Sequence, residues 1–142
     1  MKHILSTVTV LFILLTSSVS WGSVDGKGIE CKKYNGDTVR FSFNDKKVLQ
    51  YGFKVIEDKV NLIISSKEPY YLFQNFIDWT SYTFDHSLNR KTLKLTVTDS
   101  NGNLRHTYHC EVYSYEVLIR NLEEVVEQFQ SKYDKNTKDN KI

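Results

Sequence analysis

Acidic and histidine side chains near the middle of the chain are the residues whose types could support catalysis. Asp78 and Asp85 flank an aromatic segment, and His106 follows on a later predicted strand. Two carboxylates at a suitable separation can hydrolyse glycosidic bonds, and a histidine can exchange protons near neutral pH. These residues define a hydrolase hypothesis. Acids beside turns are ordinarily solvated, and no phosphate loop or nucleophile elbow accompanies them, so a non-enzymatic protein without assigned catalytic residues is preferred.

Metal binding by the histidines is disfavoured by their spacing. His106 and His109 are three residues apart on a predicted strand, so they point to opposite faces and cannot bind one ion together. His106 shares a face with Cys110, but about 13 Å of strand separates them. We therefore predict no metal site and no cofactor. We expect His106 to be inward and hydrogen-bonded, with His86 and His109 exposed.

Aromatic side chains are the other candidate functional group. The chain contains 9 Tyr, 8 Phe and 2 Trp, many of them between residues 70 and 84. Tyr and Trp dominate the energetics of interfaces, so Tyr70, Trp79 and Tyr82 form a candidate binding surface. The alternative is core packing, because a small barrel is filled by its own large side chains. We favour core positions for four of these residues: Phe73, Phe76, Trp79 and Phe84.

The first 22 residues have the layout of a secretory signal peptide. A basic start at Lys2 precedes the apolar run Ile4–Leu15, and small residues follow. The run is shorter than the roughly 20 residues that span a bilayer. We predict cleavage between Ser20 and Gly22, export to the periplasm or the medium, and no stable membrane span afterwards. An uncleaved N-terminal anchor is the alternative.

The two cysteines fit an exported protein. Cys31 and Cys110 both lie in the predicted mature part, 79 residues apart. An even count in an oxidising compartment favours a disulfide. Strand patterns around both residues direct the thiols inward, so a bridge would require the first and last strands to be neighbours. A reactive thiol at Cys110, next to His109, is the alternative.

Strand patterns alternate with turn residues along most of the mature chain. The clearest turns are Asn35-Gly36 and the run from Asp99 to Asn103, and the polar run from Asp85 to Asn89 is also typical of a turn. This spacing predicts an antiparallel meander or a small closed barrel of about eight strands. A flatter sheet is the competing architecture. The predicted strands are Ile29–Tyr34, Thr38–Phe43, Val48–Ile56, Lys59–Ser65, Tyr70–Phe73, Phe76–Phe84, Arg90–Thr98 and Leu104–Tyr113.

The hydrophobic period changes after the last strand. Apolar residues then recur every three or four positions from Leu118 to Tyr133, which predicts an amphipathic helix from about Tyr115 to Lys132 with Ser114 as N-cap. Its apolar face should pack on the sheet. Residues 23–133 would form a single domain, followed by a frayed polar tail over residues 134–142.

Charge and composition narrow the function. The net charge is +2 and the basic residues are dispersed, so nucleic-acid binding is not expected. We predict an exported, non-enzymatic binding or accessory domain of the cell envelope; its partner is not identified by the sequence, and the candidates are another envelope protein or a small apolar ligand. A carrier of a small apolar ligand, held inside the barrel, is the first alternative. A hydrolase using Asp78, Asp85 or His106 is the second.

The run Ser87–Leu95, with its Asn-Arg-Lys-Thr-Leu core, resembles a segment of small exported uncharacterised proteins of marine bacteria. Those proteins are similar in the order of a cysteine, an aromatic strand with Trp, this run, a second cysteine and a charged C-terminal helix. The resemblance covers Gly28 to about Tyr133 and implies no known activity. More distantly, the plan is similar to lipocalin-like barrels, which bind apolar molecules, and to bacterial lysozyme-inhibitor barrels.

Overall fold

The computed structural model describes residues 23–140, which form nine antiparallel strands and one C-terminal helix. The predicted signal peptide lies outside the described residues. The mainly β fold with a C-terminal helix is confirmed. In chain order the elements are β1 (Lys27–Lys32), β2 (Thr38–Asn44), β3 (Lys47–Ile56), β4 (Lys59–Pro69), β5 (Tyr71–Leu72), β6 (Phe76–Ser81), β7 (Phe84–Asn89), β8 (Lys94–Asp99), β9 (Leu104–Ser114) and α1 (Tyr115–Asp139).

The strands form one curled sheet in the order β4-β3-β2-β1-β9-β8-β7-β6-β5. The first and last strands pair at its centre, where Cys31 lies directly opposite Cys110. These two residues form a disulfide with Cα atoms 3.9 Å apart, which confirms the predicted bridge. Two meanders, β1–β4 and β5–β9, therefore meet along a single ladder.

The predicted closed barrel of eight strands is wrong, because the sheet has nine strands and curls only into a half-barrel. Its edges are β4 and β5, which are joined by Tyr70 alone. A one-residue connection is too short for a hairpin, so these two strands cannot fold back on each other and close the sheet. Across the gap, the Tyr82 hydroxyl donates a hydrogen bond to the Ser65 carbonyl oxygen at 3.0 Å.

The ninth strand comes from a hairpin that the sequence pattern hides. The predicted strand Phe76–Phe84 ends at Ser81, and Tyr82 begins a tight turn with a φ of 56°. Strand β7 then returns through residues predicted to be a polar turn. Leu88 on β7 pairs with Ile77 on β6, and both side chains are buried.

Large side chains fill the concave face of the half-barrel. The Trp79 ring meets the Phe41 and Phe43 rings edge to face, with centroids 5.2 and 6.0 Å away. Such aromatic contacts add to the free energy gained by removing the rings from water. Twelve buried residues form this inner core: Ile29, Cys31, Phe41, Phe43, Val48, Ile77, Trp79, Leu88, Leu95, Val97, Tyr108 and Cys110.

The helix packs on the convex face of the sheet. Leu118 and Leu122 are fully buried there, against a cluster that includes Tyr51. Gly28 on β1 lets the helix approach closely, because a Cβ at that position would lie 2.6 Å from Leu118 Cδ2. A side chain at position 28 would therefore push the helix away from the sheet.

Both ends of the helix can be compared with the prediction. The predicted N-cap is confirmed, since the Ser114 hydroxyl oxygen accepts a hydrogen bond from the Val117 N–H at 3.3 Å. The C-terminal end differs, because the helix continues past Lys132 to Asp139. A hydrogen bond from the Thr137 hydroxyl to the Tyr133 carbonyl oxygen supports this extra length.

The loop between β8 and β9 is organised by the Asp99 carboxylate. This group accepts hydrogen bonds from the Asn101 N–H at 3.0 Å and the Asn103 N–H at 2.9 Å. Arg105 Nε donates a third bond at 2.8 Å. The Asn103 backbone bond is the main reason that the pKa of Asp99 falls from 3.8 to about 2. These bonds favour the charged form, so its ionisation stabilises the fold.

We expect Asp99→Asn to lower the melting temperature at pH 7, because the substitution removes the ionised acceptor. Because folding lowers the pKa of Asp99, the ionised carboxylate stabilises the folded state at pH values above its ordinary pKa of 3.8. This stabilisation is lost as the pH falls through about 2. The difference in melting temperature between wild type and variant should therefore narrow between pH 4 and pH 2 in thermal denaturation followed by circular dichroism. Asp45→Asn, in an exposed turn, is the control. A difference that stays constant over this range would contradict the role of Asp99.

Candidate binding face

The convex face of the sheet has a covered part and an uncovered part. The helix contacts β1, β4 and β9, while no other described element packs over β5 to β8. Residues on this uncovered part alternate along each strand with residues of the inner core. We call it the β5–β8 outer face, defined by Tyr71, Phe73, Phe76, Asp78, Thr80, Asp85, Ser87, Thr96 and Thr98.

Two rows of polar side chains cross the β5–β8 outer face. In the first row, Asp78 lies opposite Ser87, whose hydroxyl donates a hydrogen bond to Asp78 Oδ1 at 2.7 Å. Thr96 continues this row on β8. Rows of this kind hold short side chains in fixed positions, because regular strands set their spacing.

The second row repeats this arrangement one step along the strands. Thr80 lies opposite Asp85, and the Thr80 hydroxyl donates to Asp85 Oδ1 at 2.6 Å. Thr98 continues the row on β8. Each carboxylate is therefore oriented by a neighbouring hydroxyl, and each keeps further acceptor capacity for a ligand.

Exposed aromatic rings border the polar rows. Tyr71, opposite Asp78, is 64% exposed, and Phe73 and Phe76 are 51% and 41% exposed. The Phe73 N–H donates to the Phe76 carbonyl oxygen at 2.8 Å, which closes the β5–β6 hairpin. The core positions predicted for Phe73 and Phe76 are therefore wrong, as is that of Phe84, which is also exposed. Their side chains leave the core because they lie at hairpin ends or on the convex side of the sheet.

The polar rows form a shallow groove of about 310 Å³. Nearly all of its polar lining groups are short hydroxyls and carboxylates, and Tyr71 stands at one side. A ligand there would meet hydrogen-bond acceptors and donors beside a flat aromatic ring.

The predicted surface of Tyr70, Trp79 and Tyr82 is not one surface. Trp79 is 2% exposed and belongs to the inner core, as the alternative interpretation expected. Tyr70 is half-buried against Phe43, and its hydroxyl donates to Asp25 Oδ1 at 2.8 Å. Burial, with this hydrogen bond, raises the pKa of Tyr70 to about 12. Tyr82 is 80% exposed, at the turn between β6 and β7.

Two of the three histidines differ from their predictions, whereas His109 is exposed as expected. His86 is half-buried and stacks on Trp79 with ring centroids 5.0 Å apart, and its burial lowers its pKa. His106 is exposed near the start of β9. Because His106 shares a strand face with Tyr108 of the inner core, it does not join Asp78 and Asp85 on the β5–β8 outer face. Of the three residues named for the hydrolase hypothesis, Asp78 and Asp85 therefore share one groove, whereas His106 lies apart from them.

Several residues of this face were not identified from sequence. Tyr71 was assigned to a short strand, and the hydroxyls of Ser87 and Thr98 were not singled out. The alternation of Thr96 and Thr98 along β8 was the one available signal, because it places two hydroxyls on the face opposite Leu95 and Val97.

A small cavity lies at the inner face. An apolar opening of about 110 Å³ lies beside Ile29, Phe43 and Leu88. Ligand pockets for drug-sized molecules are typically about 300–1,000 Å³. Among residues 23–140, no group of three or more His, Cys, Asp or Glu side chains is arranged to hold a metal ion. Within the same part of the chain, no helix combines the length and apolar character required to cross a membrane.

In comparisons with known proteins, no family model, no curated protein and no solved structure matches this chain.

Proposed function

We propose that the protein is an exported, non-enzymatic binding module of the cell envelope, and that its β5–β8 outer face binds a neutral glycan. One observation carries this proposal. Two carboxylates, each oriented by a hydroxyl hydrogen bond, lie beside three exposed aromatic rings on a part of the sheet that no described element covers.

Sugars have the two properties that this face can recognise. Their hydroxyls donate hydrogen bonds, and the carboxylates of Asp78 and Asp85 can accept them. Their ring C–H groups form an apolar surface that can pack on aromatic rings such as that of Tyr71. A polar groove beside exposed rings therefore suits a sugar better than a purely apolar or a purely ionic ligand.

The charge of the face favours a neutral ligand. Asp78 and Asp85 give the groove negative charge, and no lysine or arginine lines it. Anionic polysaccharides would be repelled, because like charges across an interface are costly. The glycan is therefore expected to lack carboxylate, phosphate and sulfate groups.

The two alternatives receive less support from the geometry. The carrier hypothesis needs an apolar cavity of several hundred cubic ångströms, whereas the one at the inner face measures about 110 Å³. The hydrolase hypothesis needs an acid and a base that converge on one substrate bond; Asp78 and Asp85 share the groove, but His106 does not join them. Binding at the outer face requires neither feature.

Affinity electrophoresis tests the proposal. The purified protein should be retarded in gels that contain soluble neutral polysaccharides, tested as a panel of glucans, mannans, galactans and chitooligosaccharides. A polyuronate gel should not retard it. Tyr71→Ala and Asp78→Ala should each weaken binding about tenfold or more, as the loss of a central contact does.

Tyr34→Ala is the matched control, because Tyr34 is an exposed tyrosine in the turn between β1 and β2. Its retardation should equal that of wild type. Absence of retardation by every neutral polysaccharide in the panel would overturn the proposal. Release of reducing ends from any of them, lost in Asp78→Asn, would instead support the hydrolase.

A further inference from the structure

Strand β3 is paired on both sides along only part of its length. Its ladder with β2 ends where Arg40 pairs with Tyr51. Its ladder with β4 continues to the pair of Ile56 and Lys59. Among the described residues, positions 52–56 therefore have a strand neighbour on one side only. An unpaired strand edge is a template on which another extended chain can add.

The backbone groups on this edge point towards the open side. The Val60 N–H on β4 donates to Gln130 Oε1 on the helix at 2.7 Å, so it does not point towards β3. Val55 is the register partner of Val60, and in an antiparallel ladder such a pair directs its backbone groups outward on both strands. The same holds two residues earlier, at Phe53. The N–H and C=O groups of Phe53 and Val55 are thus available to an added strand.

The other edge of this hairpin is already occupied. Gln130 bonds to Val60 and also donates from Nε2 to the Asp58 carbonyl oxygen at 3.0 Å. Tyr133 donates from its hydroxyl to Asp58 Oδ1 at 2.8 Å. The helix therefore anchors the β4 side and the turn, which leaves the β3 side as the open one.

A groove of about 290 Å³ lies between the helix and the β3–β4 hairpin, and Phe53 and Val55 of β3 form part of its wall. Its walls are mainly apolar, and the ring of Phe129 on the helix meets the ring of Phe53 with centroids 5.0 Å apart. Lys54 and Lys132 are its charged lining residues, and no aspartate or glutamate lines it. The groove thus combines apolar walls with positive charge.

We propose that an extended, acidic segment of a partner protein adds as a strand beside residues 52–56 of β3. Its apolar side chains would alternate with carboxylates, so that the apolar ones enter the groove beside Phe53, Val55 and Phe129. The carboxylates would project to the opposite face, where Lys54 alternates with Phe53 and Val55. This docking site is separate from the β5–β8 outer face and does not depend on glycan binding.

Synthetic peptides provide the test. The probe is a fluorescein-labelled hexapeptide, Glu-Val-Asp-Val-Glu-Ile. Fluorescence anisotropy measures its binding to the purified protein. The matched peptide Lys-Val-Lys-Val-Lys-Ile should bind at least tenfold more weakly, because its lysines carry the same positive charge as Lys54 and Lys132. Backbone N-methylation of the acidic probe at alternate residues should also weaken binding at least tenfold, because it removes strand-forming donors.

Variants of the protein supply a second, independent measurement. Val55→Pro removes an N–H from the open edge while leaving the β4 ladder, and should weaken binding at least tenfold. Leu104→Ala, at an exposed position on β9, leaves this edge unchanged and should bind like wild type. Equal affinity for the acidic and basic peptides, an N-methylated probe that binds normally, or no binding of the acidic probe would each overturn the proposal. Concentration-dependent dimerisation that Val55→Pro abolishes would also overturn it, since a second copy would then be the occupant.

Discussion

The variant in which Cys31 and Cys110 are both replaced by alanine is expected to lose about 4 kcal/mol of unfolding free energy. The bridge closes a loop of 79 residues, so it restricts the unfolded chain strongly. It also joins β1 to β9, whose ladder is the only one within residues 23–140 that connects the two meanders. Urea denaturation followed by tryptophan fluorescence would measure the loss.

Reduction of the wild-type protein is the matched control for this double variant. Both should unfold at similar urea concentrations, because both lack the cross-link. Replacement of both cysteines avoids the free thiol that would remain if only one of them were replaced. An unchanged midpoint in both cases would mean that the ladder between β1 and β9 holds the meanders together without the bridge.

Trp79→Ala is expected to destabilise the protein by about 3–5 kcal/mol, the usual cost of removing a buried tryptophan side chain. Trp79 is 2% exposed and contacts rings from both halves of the sheet, namely Phe41 on β2 and His86 on β7. Its loss would leave a cavity where the two meanders meet. Chemical denaturation followed by far-UV circular dichroism would measure the change.

Tyr34→Ala is the control for this substitution, because its ring is fully exposed in the turn between β1 and β2. It should change stability far less than Trp79→Ala, since most exposed substitutions shift it by about 0.5 kcal/mol or less. Equal losses in the two variants would show that the inner core does not depend on the indole ring.

The sequence predicted most strands but not the hairpin between β6 and β7. Tight turns are recognised by Gly, Asn, Asp or Pro, and this one is formed by Tyr82 and Thr83. The tertiary structure imposes the positive φ at Tyr82, a conformation that tyrosine adopts only at a cost. The polar residues that follow were then assigned to a turn although they form β7.

This error also hid the candidate binding face. On a continuous strand, Asp78 and Asp85 would point to opposite faces, because an odd number of positions separates them. The hairpin reverses the chain between them and brings both carboxylates to the convex side. Identification of the face thus required the position of the turn, which no local residue preference indicated.

The pairing of β1 with β9 was predictable, whereas the place where the sheet stays open was not. Two inward cysteines in a chain predicted to be exported indicated that the first and last strands are neighbours. That inference suggested a closed barrel, but the same neighbours also fit an open sheet interrupted in mid-chain. Only the short connection at Tyr70, between β4 and β5, decides between them. The predicted helix also ended too early. The apolar pattern stops at Tyr133, whereas the helix continues to Asp139.

The division of the sheet into two meanders has a consequence for folding. Within each meander, hydrogen-bonded neighbours are joined by short loops and can pair with little loss of chain entropy. The ladder between β1 and β9 joins distant parts of the chain, so its formation should limit the rate of folding. Until β9 has been synthesised, no ladder holds Trp79 of the second meander against Phe41 and Phe43 on β2. The half-made chain is therefore the form most prone to aggregate.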